Sequence, residues 1–371
     1  MLPSQFGPAA HGHSAAGRVV ELDSLRGVAA ATVVVHHLWG ISTNTPPAWY
    51  FVPITSGQEA VILFFVLSGY VLSLPVWTGR QSSYPIYLVR RIFRIYVPFV
   101  AALILSAIGC TVFYKTHLQL TDFYMKTWQD PVTLRDFLHQ LTMPDIPTLN
   151  GAMWSLRYEM ELSILFPFIC WFLARSRYLP FVLLPAIRLL QMWIAHRTFT
   201  AFHAELTILS DFLYYSLFFI AGALLARERA ILLRFTFLLK APVLYLSVVV
   251  ALLLYYHRMF LHLSTPQGEL LTLIGSLILL VAVQDPRASL GMNNAVCQYL
   301  GRISYSMYLI HYVVLFALFD LAYGRIPFPL LICLCLVATL AVSHLFCISV
   351  EEPSLRLGKY LSKRLPRASR A

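Results

Sequence analysis

The sequence predicts an all-α fold: a polytopic integral membrane helical bundle of about ten transmembrane helices, with both termini in the cytoplasm. Three observations carry that expectation. First, 58% of the 371 residues are hydrophobic, only 12% are charged, and the mean hydropathy is +0.69, a composition typical of integral membrane proteins. Second, apolar runs long enough to cross a hydrocarbon core of roughly 30 Å recur along the chain. They are continuous rather than alternating, so helices, not barrel strands, satisfy the backbone in lipid. Third, Lys and Arg divide about 20 against 7 between alternate connections, and the richer side is cytoplasmic by the positive-inside rule.

The expected spans fall near 21–42, 58–76, 92–113, 154–173, 178–195, 206–226, 241–257, 267–284, 300–322 and 327–350. An even number of crossings agrees with both termini lying on one side. Residues 1–18 mix Gly, Pro, Ser and His without periodicity, which predicts a disordered tail with no cleavable signal peptide. His11 and His13 on that tail make a weak metal site, and no metal centre is expected. Residues 354–371 read as a basic cytoplasmic tail, lipid-facing or solvated. Together these divide the chain into a tail, a transmembrane domain over 19–353, and a second tail.

The net charge of +11 is explained by basic cytoplasmic edges facing anionic membrane lipids, and does not imply nucleic acid. The six cysteines show neither metal-ligand spacing nor a disulfide framework, so they read as small core residues. The connection over about 114–153 is the longest and lies on the outer side. A connection of that length is often functional, as a lid or acceptor-binding surface.

Four stretches place ionisable groups in or beside apolar spans, where they cost several kcal/mol and usually face a protein interior. In ELDSLRGVAAATVVVHHLWG (residues 21–40), Arg26 and His37 are eleven positions apart. On a helix they fall within about 20° of one face and roughly 16 Å apart along the axis. Asp23 lies within roughly 60° of Arg26, whereas His36 points about 80° to the side. The plainer readings are a snorkelling Arg26 and a histidine hydrogen-bonded to a neighbouring helix.

In RRIFRIYVP (90–98), Arg91 and Arg94 share a helical face and form a cationic pair suited to phosphate oxygens. The plainer reading is a positive-inside anchor. In NGAMWSLRYEMELSILFP (150–167), Glu159 and Glu161 point about 200° apart, so one of them faces the interior. A glutamate on the outer half of the bundle is placed to orient or polarise the His37 imidazole. LGRISYSMYLIHYVV (300–314) adds Ser304, Tyr305, Ser306 and His311.

Five segments in order, LDSLRGVAAATVVVHH, AVILFFVLSGYVLS, RRIFRIYVP, WSLRYE, and GRISYSMYLIHY followed by VEEP, resemble the acyltransferase-3 family. Its members are membrane acyltransferases that modify carbohydrates and other envelope acceptors. The family's arginine and histidine with ten residues between match Arg26 and His37, the face that helical geometry selects independently. Its paired arginines match Arg91 and Arg94, its WSL-x-x-E glutamate matches Glu159, and its late E-x-P matches Glu351 and Pro353. One departure is that Ile62 stands where an aspartate often precedes the FF pair, with Glu59 slightly earlier.

The resemblance implies transfer of an acyl group, most often acetyl, from cytoplasmic acyl-CoA to a hydroxyl of an envelope carbohydrate or lipid-linked glycan acceptor. It implies a location in a bacterial inner membrane. Some members add a soluble extracytoplasmic hydrolase-like domain, which this sequence is expected to lack. His37 is expected as general base, with Glu159 stabilising the imidazolium, or as the site of a transient acyl-histidine. Arg26 is expected to hold the donor or offset developing negative charge, and Arg91 with Arg94 to grip CoA phosphates. Buried Arg, His and Glu also suit a proton-coupled transporter or lipid-linked sugar flippase, which moves substrate without CoA turnover. A scaffold subunit of an envelope complex is a third class, in which Arg91 and Arg94 are replaceable by lysine.

Overall fold

Apolar backbone in lipid must close its own hydrogen bonds, and the computed structural model is accordingly built from helices. It describes residues 20–365 except 115, 117, 145, 146, 202, 203, 262 and 264. The N-terminal tail with His11 and His13, and the last residues of the C-terminal tail, lie outside the described residues. Among the described residues no strand occurs.

The helices are α1 (Val20–Ser42), α2 (Val52–Thr55), α3 (Gly57–Trp77), α4 (Tyr84–Phe113), α5 (Asp122–Met125), α6 (Leu134–Gln140), α7 (Trp154–Ala174), α8 (Leu179–Ala201), α9 (Ala204–Arg227), α10 (Arg229–Leu238), α11 (Ala241–Tyr255), α12 (Thr265–Ala282), α13 (Ala295–Ala322), α14 (Phe328–Phe346) and α15 (Glu352–Lys363). Each of the expected spans coincides with one of them. Among the described residues, seven helical runs are long and apolar enough by composition to cross a membrane. The fold is an all-α membrane helical bundle.

Glycines decide how closely two of the central pairs approach. A Cβ on Gly27 of α1 would stand 2.3 Å from the backbone nitrogen of Gly301 in α13, so the two backbones touch there. Such contacts are how helices associate in lipid, where packing replaces the hydrophobic drive. Further along, His37 of α1 meets His311 of α13, each ten residues beyond its glycine. Both contacts advance in the same chain direction, so α1 and α13 run parallel. α3 and α9 cross the other way: Gly69 abuts Phe219 and Gly222 abuts Val66, which makes them antiparallel.

α4 begins at Tyr84, earlier than the expected start near 92, and passes through Pro98 without breaking. The arginine cluster is therefore inside the helix rather than at its mouth. A transmembrane helix tolerates proline where its surroundings accommodate the freed carbonyl, here that of Arg94; next to it the Tyr305 hydroxyl donates to the Ile95 carbonyl at 2.8 Å.

The connection between α4 and α7 is folded. Thr121 caps α5, Thr133 and Asp136 form a capping box on α6, and that pairing holds the Asp136 carboxyl below its usual value. The Trp128 indole donates to the Leu149 carbonyl at 2.9 Å. This connection is tied to the end of α1 by a 2.7 Å bond from Thr121 to the Gly40 carbonyl.

The C-terminal stretch, expected as a lipid-facing or solvated tail, instead forms α15 after a π turn at Cys347–Glu351. Ser354, Gly358 and Ser362 recur every four residues and face α4. Ser354 donates to the Phe93 carbonyl at 2.5 Å, and Arg90 donates to Ser362 at 3.1 Å. Sequence composition marked this segment as polar; the small-residue spacing is what lets it dock.

Candidate functional site

A cavity of about 540 Å³ opens where α1, α3, α4, α7, α13 and the α14–α15 junction meet. Four arginines and four carboxylates line it: Arg26, Arg91, Arg94 and Arg302 with Asp23, Glu159, Glu351 and Glu352. Each arginine has a carboxylate partner. Arg26 lies 2.8 Å from Asp23, Arg91 3.4 Å from Glu159, Arg94 2.8 Å from Glu351, and Arg302 2.6 Å from Glu352. The charges balance, as expected where solvation is restricted.

The weakest pair by distance is Arg91 with Glu159, and Arg91 leans more on Ser163, to which it donates at 2.6 Å. Its Nε is buried without a hydrogen-bond partner among the described residues. Glu159 also accepts from Ser68 at 3.4 Å. Glu351 is buried and held from two sides, by Arg94 and by the Ser306 hydroxyl at 2.6 Å.

Tyr308 of α13 also lines the cavity. Its hydroxyl pairs with Ser155 at 2.7 Å and donates to the Ala152 carbonyl at 2.5 Å, fixing α13 to the start of α7. His311 lies one helical turn further along α13, its ring centroid 6.0 Å from that of Tyr308.

Beyond Tyr308 is the pair of histidines. His311 is fully buried and its Nδ1 stands 3.0 Å from the Met307 carbonyl. A carbonyl only accepts, so that nitrogen carries the proton and Nε2 of neutral His311 is an acceptor. His37 Nδ1 lies 2.9 Å from it and must donate. The proton assignment leaves Nε2 of His37 with its lone pair, the form a general base needs. Phe123 stacks on the His37 ring at 5.5 Å, and Tyr312 meets it edge-on at 5.7 Å, so the α4–α7 connection roofs the imidazole.

His36 does something else. Its Nδ1 donates to the Thr55 carbonyl at 2.8 Å, and its ring packs so closely on Gly57 that a Cβ there would come within 2.5 Å. It buttresses the α2–α3 corner.

The structure thus gathers Arg26, Arg91, Arg94 and Glu159 around one cavity and puts His37 deeper along α1. It does not bring Glu159 against the His37 imidazole, as the sequence suggested. Glu159 faces Arg91 and Ser68 because α7 turns that side toward α3 and α4, and His311 occupies the place beside His37. His311, Tyr308 and Arg302 acquired no role from the sequence. The available signal was a fully polar ring in the middle of the apolar α13 run, but a single helix does not show which other helix it meets. Among the described residues no group of His, Cys, Asp and Glu could hold a metal ion.

The described residues thus form an all-α membrane bundle with an arginine-lined cavity and, one helical turn beyond its Tyr308 on α13, a half-buried His37 paired with the buried His311. Residues 19–348 match the acyltransferase domain of the acyltransferase-3 family, and the chain belongs to that family. It is also similar to the O-acetyl transferase of Shigella phage Sf6, with 28% identity over 153 residues, 38% of this chain and 43% of that protein. The match thus spans less than half the length of that relative. No solved structure matches the chain.

Proposed function

We propose that this protein moves an acyl group, specifically acetyl, from acyl-CoA to a hydroxyl of an envelope carbohydrate or lipid-linked glycan, in a bacterial inner membrane. The observation that carries the reading is the chain from the Met307 carbonyl through His311 to His37, whose His311 ring lies 6.0 Å from Tyr308 of a cavity lined by four arginines. The O-acetyl transferase similarity supports acetyl and oxygen as donor group and acceptor atom.

In this reading the donor's phosphates lie among the arginines and its flexible arm passes Tyr308, bringing the thioester to the imidazole. Arg91 and Arg94 exchange their carboxylate partners for phosphate oxygens, which suit guanidinium forks. The His37 Nε2 lone pair takes the proton of the acceptor hydroxyl as its oxygen bonds to the thioester carbonyl carbon. The carbon–sulfur bond then breaks, and the imidazolium returns the proton to the leaving thiolate, giving the ester and free CoA. His311 accepts the hydrogen bond from His37 Nδ1 throughout and so fixes the ring's orientation. Arg26, on the same face of α1, offsets negative charge near the donor.

The test is acyl transfer from labelled acetyl-CoA in membranes holding wild type or His37→Ala, with mass spectrometry of envelope glycans to identify the product. Label transferred by wild type and lost in the variant supports the reading. Wild-type membranes that move a glycan without consuming CoA would make the protein a transporter.

A further inference from the structure

The four cavity arginines differ in how firmly they are held. The side chains of Arg26, Arg91 and Arg94 are 19%, 14% and 33% exposed, whereas Arg302 is 54% exposed. Arg94 is paired with a carboxylate that is itself buried, and Arg91 is also held by Ser163. Arg302 has neither support. Its fork closes on a single oxygen of Glu352, Nε at 3.2 Å and Nη2 at 2.6 Å.

Glu352 is also shared, since its other oxygen accepts from Arg356 at 3.0 Å. It stands just past the π turn that joins α14 to α15. Leu355, on the same helix, lines the cavity with Glu352. An exposed pair of this kind is weak and screened by salt. A phosphate, with more charge and more acceptor oxygens than one carboxylate, competes well for the same fork.

We infer that Arg302 is a specificity-determining residue that binds a phosphate of the acyl donor at the cavity mouth, with Glu352 occupying its guanidinium while the site is empty. This rests on the acyl-CoA reading above. Arg26, Arg91 and Arg94 are the less exposed of the four. Arg302 belongs to the entrance, where the phosphorylated end of a long donor remains when its thioester has reached the histidines. The same chemistry exists on anionic lipid head groups, and the choice between the sources is made by the donor: a lipid site does not discriminate between thioesters with and without phosphate.

The experiment compares acetyl-CoA with acetyl-pantetheine, which has the thioester arm and no phosphate. KM is measured for wild type, Arg302→Gln and Glu352→Gln in neutral phosphatidylcholine nanodiscs and again with phosphatidylglycerol present. Arg302→Gln is expected to raise KM for acetyl-CoA about tenfold and to narrow the preference over acetyl-pantetheine by the same factor in both lipids. Glu352→Gln, which frees the fork, is expected to lower KM for acetyl-CoA, a direction that a folding defect does not produce. An unchanged donor preference in both variants overturns the inference while leaving acyl-CoA as donor. An effect of Arg302→Gln that is equal for both donors and appears only with phosphatidylglycerol overturns it in favour of a lipid site. Wild-type protein that turns over neither thioester overturns this inference together with the reading on which it rests.

Discussion

His37 of α1 and His311 of α13, 274 residues apart in sequence, share one hydrogen bond of 2.9 Å. The Met307 carbonyl behind His311 sets the direction of that bond, and therefore sets which His37 nitrogen is basic. The relationship depends on two parallel helices meeting at Gly27 and Gly301.

The two adjacent histidines should separate in function. General bases typically contribute about 100- to 10,000-fold in rate, so His37→Ala should remove most acyl transfer. His36→Ala should cost far less, because its ring supports the α2–α3 corner rather than the imidazole chain. Initial rates in membranes containing equal amounts of inserted protein decide it. Equal losses would point to a packing defect in α1.

His311 should behave as a positioning residue. His311→Ala leaves His37 Nδ1 without its acceptor and should lower kcat by up to about 100-fold with little change in donor KM. His311→Gln retains an acceptor oxygen and should recover part of the rate. A large rise in donor KM with unchanged kcat would instead place His311 in donor binding.

Arg91 and Arg94 should respond to loss of fork geometry rather than of charge. Lysine keeps the charge but not the paired donors, so either substitution should raise KM for acyl-CoA about tenfold while the protein stays in the membrane. Unchanged donor dependence in the double lysine variant would return the pair to membrane anchoring.

The contact of α1 with α13 should tolerate no side chain. Gly27→Ala places a methyl 2.3 Å from the Gly301 backbone nitrogen, and backbone has no rotamer by which to yield. The expected cost is at least about 1–3 kcal/mol, read as a lower thermal midpoint together with lost activity as the histidines separate. A variant with wild-type stability would mean that α1 can shift along α13.

The basic-residue asymmetry predicts sidedness. Tags at both termini should be reachable only from the cytoplasm, and a tag near Thr133 only from outside. An externally reachable C-terminus would reverse the donor side assigned to the cavity.

The sequence by itself determined the class of fold and the positions of the helices, because a long apolar run in lipid has one economical way to close its backbone hydrogen bonds. It also determined that Arg26 and His37 share a stripe, since helical geometry is local and periodic. Arg91 and Arg94 were legible for the same reason. What only the tertiary structure decided was partnership between helices. Glu159 pairs with Arg91 instead of reaching His37, His311 supplies the imidazole's acceptor, and the polar C-terminal stretch docks on α4 as α15. Those outcomes depend on which small residues let which backbones touch, as Gly27 and Gly301 do. Periodicity along one helix gives the face it offers but not the neighbour that meets it.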